Sequence, residues 1–574
     1  MFRKPAKRQK TLDGFFQTNR QEQAEGGESG PEASSRDGHE GSSQQKEQGE
    51  RGDSRPEANR DDYAGSQALP LFRKMPSTCV TMVNSLYEPG GVGSPSNPEK
   101  FQGQDYEQLK ESLLSKGELF TDDAFPANLD SLGEIEGLTA EQLTEVEWHR
   151  PGELGNVDPS FVVDGASRFD FKQGDIGNCW LLSSFGSLTL RKSLMAQVVP
   201  LDQNFKDGYA GIFHFRFWRF GKWVDVVVDD LLPTRNMLPV SVSSRSGTEF
   251  WAPLLEKAYA KVCGSYGDMI AGNPSEAFMD FSGRVHMTYK LTEQPSDLWD
   301  VMTRATKAKT MMGCATYGQE KGKPGEEAGL VSGHIYAVTG VKQVLSKGAK
   351  VNLVRIWNPW GEKEWNGDWS DKSELWETVS SDVRDQCLKV RNDGEFWMTL
   401  EDYCVYYEDM AICCDSPNFL DDDAACQWKC SMKEGCWEAG KTAAGSDRTS
   451  EEFWKNPQFR IRVKAVEGES QGSKNILVSL MQKSDEEKRS KVKYHAIGFM
   501  IYEVPPEAPK GQLTASLMGD GSPLEVSTFY YKREIVELHS LQPGEYVIIP
   551  CTFKPEKTSS FILTIYSKAE AELE

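Results

Sequence analysis

Apolar residues are missing from a long opening stretch of this chain and then return in two rhythms, one helical and one alternating. Between Gln17 and Asp62 there is no Val, Ile, Leu, Met, Phe, Trp, Tyr or Cys, while Gly, Glu, Gln, Ser and Arg abound. A segment without apolar groups cannot bury a core, so residues 1–95 are expected to form a disordered tail. From Phe101 the pattern turns globular. QDYEQLKESLLSKGELF reads as a helix with Leu109, Leu113 and Leu114 on one face and its end near Gly117. In KQGDIGNCWLLSSFGSL, Gly174 and Gly177 loosen the backbone before Trp180, Leu181, Phe185 and Leu188 fall at helical spacing, which predicts a helix from about Cys179. GIFHFRFWRFGKWVDVVVDDLLP predicts a hairpin turning near Gly221. EFWAPLLEKAYAKVCG predicts an amphipathic helix with Trp251, Leu254, Leu255 and Ala258 in one stripe, closed by Gly264.

Further along, IYAVTGV and VNLVRIW predict two strands joined by a short polar loop. Beyond Pro417 the pattern is β throughout. FRIRVKAV, ILVSLMQ, AIGFMIYEV, REIVEL, EYVIIPCTF and SFILTIY are short runs, several alternating, separated by Gly, Pro and charged turns. The expected architecture is an α+β core in two subdomains, 96–286 and 287–417, followed by an all-β antiparallel sandwich over 418–574.

Composition narrows the function classes. The chain has 574 residues and a formal charge of −22, which argues against a nucleic-acid-binding surface over the whole protein and suits a protein that binds cations. No apolar run approaches the ~20 residues of a membrane span, and MFRKPAKRQK lacks the apolar centre of a signal peptide. A cytoplasmic protein is expected, with its twelve cysteines mostly as thiols. Cys413, Cys414, Cys426, Cys430 and Cys436 cluster in sequence, but no histidine lies nearby and the spacing of zinc sites is missing.

The candidate chemistry centres on Cys179. A thiol at a helix start meets the positive end of the helix dipole, which favours the thiolate that attacks carbonyls. Gln173, six positions earlier, can donate its side-chain amide to an oxyanion forming beside the Cys179 backbone N–H. The competing reading is a buried cysteine packed as a small hydrophobe at a glycine-rich turn. A nucleophile needs a base and the base an orienter. Of seven histidines, His334 alone follows a small-residue opening, SGH, and leads a strand. Asn358 ends the next strand, and Pro359 blocks its extension, so the Asn358 oxygen is displayed at the rim, where it can accept from one imidazole nitrogen. A structural histidine and a turn asparagine are the ordinary alternatives. The order Cys, His, Asn lifts the catalytic reading.

QGDIGNCW, GLVSGHIYAVTGV, IWNPWGEKEWNGDWSD and NDGEFWM resemble the four signature blocks of the calpains, calcium-dependent intracellular cysteine proteases of papain-like mechanism, and the resemblance runs from about Phe101 onward. It implies a papain-like two-subdomain core performing limited proteolysis, with Cys179 the nucleophile, His334 the base, Asn358 the orienter and Gln173 the oxyanion donor. It also implies Ca²⁺ as cofactor in two sites. One would take Asp170, Glu249 and the carbonyls of Val163 and Gly165; the other Glu364, Asp371, Asp393, Glu395 and the carbonyl of Arg391. Trp360 matches a tryptophan thought to wedge between the subdomains when calcium is absent, with core packing beside Pro359 as its alternative. Asn178 stands where the family usually has Asp, and LLSS where an aromatic and alanines are common. GCWEAGKTAAG and FWKNPQF resemble the opening of the calpain β-sandwich domain, whose loops imply a weak contact with acidic lipid. No DxDxDG-type loop occurs in the sequence, so an EF-hand domain and pairing with a small regulatory subunit are not expected.

The tail carries one pattern outside the resemblance. In KRQKTLDGFFQ, Leu12, Phe15 and Phe16 follow Gln9 at plus three, plus six and plus seven, one face of a short helical turn. This resembles the peptide by which replication and repair proteins bind the PCNA-type sliding clamp. Lys7, Arg8 and Lys10 read either as a nuclear import signal or as electrostatic help for binding, and a chance match in a polar tail is the competing account of the motif. Two rival functions stay open on the residues alone. Transglutaminases also open a helix with GxCW, but their third residue is Asp. A catalytically idle calpain-like scaffold recruited by the tail is the other.

Overall fold

The computed structural model describes residues 80–81, 87–155, 158–293, 295–318, 326–414, 420, 428–464, 474–484, 486–506, 508–518 and 521–568. The docking pattern at Gln9, Leu12, Phe15 and Phe16, the basic cluster and the long polar stretch lie outside them. Residues 87–98 form turns inside the segment expected as tail, where the Gly93 carbonyl accepts from the Trp223 N–H at 2.8 Å.

The first subdomain opens with helix α1 (Tyr106–Lys116), capped by Asp105 and ended by Gly117 in the left-handed region. Helix α2 (Cys179–Leu188) starts at the cysteine and is buried at every position. Its polar face needs no water because the Ser183 and Ser184 hydroxyls donate to the Trp180 carbonyl at 3.0 and 2.8 Å and Ser187 donates to the Met312 carbonyl at 3.0 Å. Strands β1 (Ile212–Arg219) and β2 (Lys222–Asp229) form the expected hairpin, with Phe220 and Gly221 both at positive φ, the backbone a tight hairpin turn demands.

Helix α3 (Trp251–Cys263) departs from the amphipathic expectation, because all of it is buried. Its polar face is turned onto the hairpin, where Lys257 pairs with Asp229, and Lys261 donates to Asp122 at 2.5 Å and to the Val227 carbonyl at 2.8 Å. Paired charges replace the expected solvent. Helix α4 (Pro274–Ser282) completes this half.

The second subdomain is one antiparallel sheet. Its strands are β3 (Val285–Lys290), β4 (Met311–Thr316), β5 (Ile335–Ser346), β6 (Ala349–Trp357), β7 (Glu395–Thr399) and β8 (Tyr407–Cys414). They run in the order β3-β8-β4-β5-β6-β7. The boundary expected between residues 286 and 287 falls inside β3. Met311, Ala315, Ile335, Ala337 and Trp357 of this sheet share one core with Trp180, Leu181, Phe185 and Leu188 of α2. The helix bearing the cysteine is thereby packed against the strands that carry the histidine and the asparagine. Trp357 enforces the fit: a Cβ at Gly186 would lie 2.6 Å from its ring, so the helix approaches only as glycine.

The longer strands of the last third of the chain are β9 (Lys429–Trp437), β10 (Phe459–Val463), β11 (Ile476–Gln482), β12 (Ala496–Glu503), β13 (Glu534–His539), β14 (Gly544–Thr552) and β15 (Ser559–Ser567). One sheet runs β9-β15-β11-β13 and the other centres on β10-β14-β12. Trp437, Phe459, Val478, Phe499, Ile548 and Phe561 fill the layer between them, the sandwich the alternation predicts. Strand β9 escapes the sequence pattern because it is an edge strand with most positions half-exposed. No described helix is long and apolar enough to cross a membrane.

Candidate active site

The loop into α2 is held by close backbone contacts. A Cβ at Gly174 would sit 1.9 Å from the Ser241 carbonyl oxygen, so only glycine lets the loop pass. The Asp175 N–H donates to the Val240 carbonyl at 2.7 Å, and the Gln173 N–H to the Pro359 carbonyl at 3.1 Å. The second bond fastens the glutamine loop to the turn that follows Asn358. The Gln173 side chain donates one Nε2–H to the Ile176 carbonyl at 2.7 Å, which fixes the amide plane beside the helix start.

Asn178 stands at the N-cap position without capping. Its Nδ2 instead donates to Glu256 Oε1 at 2.6 Å, while Glu256 Oε2 accepts the Val242 N–H at 2.8 Å. Burial raises the Glu256 carboxyl to about 7, against the hydrogen bonds from Asn178 and Val242 that favour its charged form. Here an amide fits where the family usually has a carboxylate, because it donates directly to a buried acid instead of competing with it for a proton.

His334, leading β5, is 1 % exposed, and Asn358, following β6, is fully buried. His334 Nε2 meets Asn358 Oδ1 at 2.8 Å. That contact commits Nε2–H to the amide oxygen and assigns Nδ1 the exchange of protons. Every polar group of the asparagine is engaged: Oδ1 also accepts the Trp360 N–H at 3.0 Å, and Nδ2 donates to the Glu362 and Lys363 carbonyls at 2.8 and 3.1 Å. The turn closes on Gly394, where a Cβ would lie 2.7 Å from the Asn358 carbonyl. Tyr336 braces the imidazole edge-on with ring centroids 4.9 Å apart, its hydroxyl accepting the Val331 N–H at 2.9 Å. Sequence reading missed Tyr336, since a tyrosine in a strand carries no mark distinguishing bracing from packing.

Gln173, Gly177, Cys179, Ile270, Ala271, Val331, His334 and Trp360 line one cleft. Trp360 stands beside the histidine, ring centroids 4.7 Å apart, and forms part of the cleft wall. The thiol of Cys179 and the amide of Gln173 from one segment and the imidazole of His334 from another far along the chain thus face a common space, the arrangement acyl transfer through a covalent intermediate requires.

The acids expected to bind calcium fall in two groups, one in each half of the core. In the first, Asp170 Oδ2 accepts from the Ser167 N–H at 2.6 Å and Trp251 Nε1 at 3.1 Å, and Glu249 Oε1 accepts the Val163 N–H at 2.9 Å. Gly165 turns the loop between them at φ +90°. In the second, Glu364 Oε1 accepts the Asp393 and Gly394 N–H groups at 3.1 and 2.8 Å, and Asp371 Oδ2 the Arg391 N–H at 3.1 Å. Burial, reinforced by neighbouring carboxylates, pushes Glu249 up to about 7 and Asp371 to about 6. An all-oxygen donor set whose members repel one another suits a hard divalent cation. Glu395 Oε1 accepts from Arg168 Nε and Nη2 at 3.0 and 2.7 Å. Among the described residues no three His, Cys, Asp or Glu side chains close into a metal cage as they stand.

Comparison with known proteins extends over both halves of the described chain. The profile of the calpain family cysteine proteases matches residues 120–414, and that of calpain large subunit, domain III, matches residues 433–566. The chain is 43 % identical over 507 residues to the calpain-1 catalytic subunit of Bos taurus, covering 84 % of this chain and 69 % of that one. It is 42 % identical over 497 residues to the calpain-1 catalytic subunit of Homo sapiens, with the same coverage. It is 39 % identical over 496 residues to the calpain-2 catalytic subunit of Bos taurus, covering 84 % of this chain and 70 % of the relative.

Proposed function

We propose, from the premise that the chain belongs to the calpain family of cysteine proteases, that it is an endopeptidase performing limited cleavage of protein substrates through Cys179, His334, Asn358 and Gln173, and that Ca²⁺ activates it. The observation that carries this reading is the 2.8 Å contact of His334 Nε2 with an Asn358 whose other polar groups are all engaged, on the cleft that Cys179 and Gln173 also line. His334 takes the proton of Cys179 Sγ at Nδ1, and the thiolate attacks the scissile carbonyl carbon. The Gln173 amide and the Cys179 N–H hold the oxyanion. Collapse of the intermediate breaks the C–N bond, with the proton passing from His334 to the leaving amine. Water, deprotonated by the same imidazole, then hydrolyses the thioester and returns the proton to Sγ. Asn358 keeps the ring in the orientation and tautomer these transfers need.

Ca²⁺ would be held by Asp170, Glu249 and the Val163 and Gly165 carbonyls on one side and by Glu364, Asp371, Asp393, Glu395 and the Arg391 carbonyl on the other, where it would supply positive charge between carboxylates that otherwise repel. The test is hydrolysis of casein by the purified chain with Ca²⁺ and with excess chelator. Cleavage only with Ca²⁺ is expected. Equal cleavage in chelator removes the calcium switch, and a folded protein inert under both conditions favours the idle scaffold.

The tail extends this reading. Gln9, Leu12, Phe15 and Phe16 are proposed to dock on a PCNA-type sliding clamp, Lys7, Arg8 and Lys10 to speed the encounter and support nuclear entry from the cytoplasm, and the sandwich loops to touch acidic lipid weakly. Calorimetry of a peptide of residues 1–20 against the clamp checks the first point. Binding lost on replacing Phe15 and Phe16 by Ala supports it, and no heat from the native peptide reduces it to a chance match.

A further inference from the structure

A side chain of the sandwich grips the backbone behind the cleft. Arg489 lies in the turn between β11 and β12, outside the protease core, yet its guanidinium reaches the segment 268–272, whose Ile270 and Ala271 line the cleft. Nη1 donates to the Ala271 carbonyl at 2.9 Å and to the Asp268 carbonyl at 3.3 Å. Nε and Nη2 grip the Glu276 carboxylate at 3.0 and 2.9 Å. The guanidinium carbon sits 4.6 Å from the centroid of the Trp180 ring, the residue next to Cys179. Trp180 in turn donates its Nε1–H to the Met269 carbonyl at 2.9 Å, and a Cβ at Gly272 would lie 2.5 Å from its ring and 2.8 Å from Arg489 Nη2.

The segment so gripped is under strain. Ala271 holds φ at +56°, a left-handed conformation that is unfavourable for a residue with a side chain. Its N–H donates to the Gly177 carbonyl at 3.1 Å, two residues before the cysteine. Ile270 and Ala271 line the cleft beside Gly177 and Cys179. A strained segment persists only where its surroundings hold it, and the group that holds the Ala271 carbonyl comes from the other domain.

We infer that Arg489 is a positioning residue by which the β-sandwich domain sets the substrate-cleft wall at Ile270–Gly272 and, through the Ala271 to Gly177 bond and the face of Trp180, the loop presenting Cys179. The inference rests on the reading of Cys179 as nucleophile. Arg489 serves two ends with one fork: a salt bridge to Glu276, which any cation could make, and two carbonyl contacts plus a stacked ring, which need a planar guanidinium. Ser490 adds a hydrogen bond to Asp268 from the same turn. Arg533 of the sandwich also reaches Glu276 at 3.5 Å and Asp280 at 3.2 Å, and His286 Nε2 meets Glu534 at 2.8 Å.

The experiment compares Arg489→Lys, Arg489→Ala and His286→Gln in the full chain. It reads the unfolding midpoint, kcat and KM for a peptide substrate, and the rate at which iodoacetamide alkylates Cys179, followed by mass spectrometry. Lysine retains the charge beside Glu276, so Arg489→Lys is expected to keep a midpoint close to that of the unsubstituted chain while kcat/KM and the alkylation rate each fall at least fivefold. His286→Gln, a change at the same interface, is expected to leave both rates within twofold. Arg489→Lys with both rates within twofold of the unsubstituted chain overturns the inference, as does a His286→Gln loss equal to that of Arg489→Lys, which would reduce Arg489 to one interface contact among several. Cleavage surviving in Cys179→Ala sinks the reading of the nucleophile itself, and that assay is independent of the Arg489 series.

Discussion

Arg168 crosses from the half of the core that carries the cysteine to the half that carries the histidine, and grips Glu395 there with Nε and Nη2 at 3.0 and 2.7 Å. Each residue is adjacent to an acidic group expected to bind calcium: Arg168 lies two positions before Asp170, and Glu395 two after Asp393. The side chains are only 12 % and 16 % exposed, and Glu395 Oε1 also accepts from the Thr339 hydroxyl at 2.9 Å. A pair so placed holds the two halves together and links the two acidic groups expected to bind calcium. Arg168→Ala leaves a largely buried carboxylate short of its main partner, which costs far more than the loss of a surface pair. Activity is expected to fall roughly tenfold and half-maximal activation to need more Ca²⁺. Arg168→Lys, which keeps the charge and loses the fork, should fall between. A calcium titration of casein cleavage checks this, and superimposable curves for Arg168→Ala and the unsubstituted chain would reject it.

The catalytic set has its own ordering of effects. Cys179→Ala and His334→Ala each remove half of one nucleophile and base unit, so either is expected to lower peptide cleavage by ~1,000-fold or more. Asn358→Ala leaves the chemistry in place but frees the imidazole to rotate, and should cost less in rate. It should cost more in stability than Cys179→Ala, because it leaves the Trp360 N–H and the Glu362 and Lys363 carbonyls without their asparagine partner. Casein hydrolysis and circular dichroism on the three variants decide it; a folded Cys179→Ala protein that still cleaves would remove the cysteine from its role.

What the residues disclosed beforehand, and what they hid, follows from the range over which each signal acts. The start of α2 at Cys179 was legible because a glycine-rich loop followed by helical apolar spacing is local information. The hairpin at Gly221 and the strand end at Trp357 were legible for the same reason. The burial of the polar face of α3 was not, because Lys257, Lys261 and Glu256 find their partners at Asp229, Asp122 and Asn178, between 28 and 139 residues away. Gly186 reads as a neutral helix position until Trp357 is seen against it. The acids were found only by resemblance: one carboxylate at a time looks like solvated surface, and their mutual crowding exists only after folding. Arg489 was invisible in a charged stretch, DEEKRSK, typical of an exposed turn.

Calcium dependence should respond to single acids in both groups. Asp170 is three residues before Gln173 on the loop that leads to the oxyanion donor, and Asp393 lies beside the Gly394 that packs on Asn358. An ion can shift the balance between open and assembled cores only through a difference in its affinity for them. Asp170→Ala and Asp393→Ala are each expected to raise the Ca²⁺ needed for half-maximal activity severalfold while leaving the saturated rate of Asp393→Ala near that of the unsubstituted chain. Isothermal titration and activity measured in parallel check the link, and activation curves that do not move would count against both sites.

The buried Glu256 beneath Asn178 should make the stability of the protease core depend on pH in a stated direction. Its carboxyl is raised from 4.5 in the unfolded chain to about 7 in the fold, first by burial. Between those values the folded state binds the proton more readily than the unfolded one, so stability increases as pH falls from 7 toward 4.5 and decreases as pH rises through that window. From pH 5.5 to 7.5 this one group is expected to remove ~2 kcal/mol. Glu249 and Asp371 shift in the same sense, so the informative quantity is a difference between proteins. Glu256→Gln keeps an acceptor for Asn178 and abolishes the titration. Its apparent unfolding midpoint should therefore fall less between pH 5.5 and 7.5 than that of the unsubstituted chain, in thermal scans of the two proteins in the same buffers. Equal falls would mean that Glu256 stays ionised throughout the range, stabilised by the Asn178 and Val242 donors more than burial opposes it.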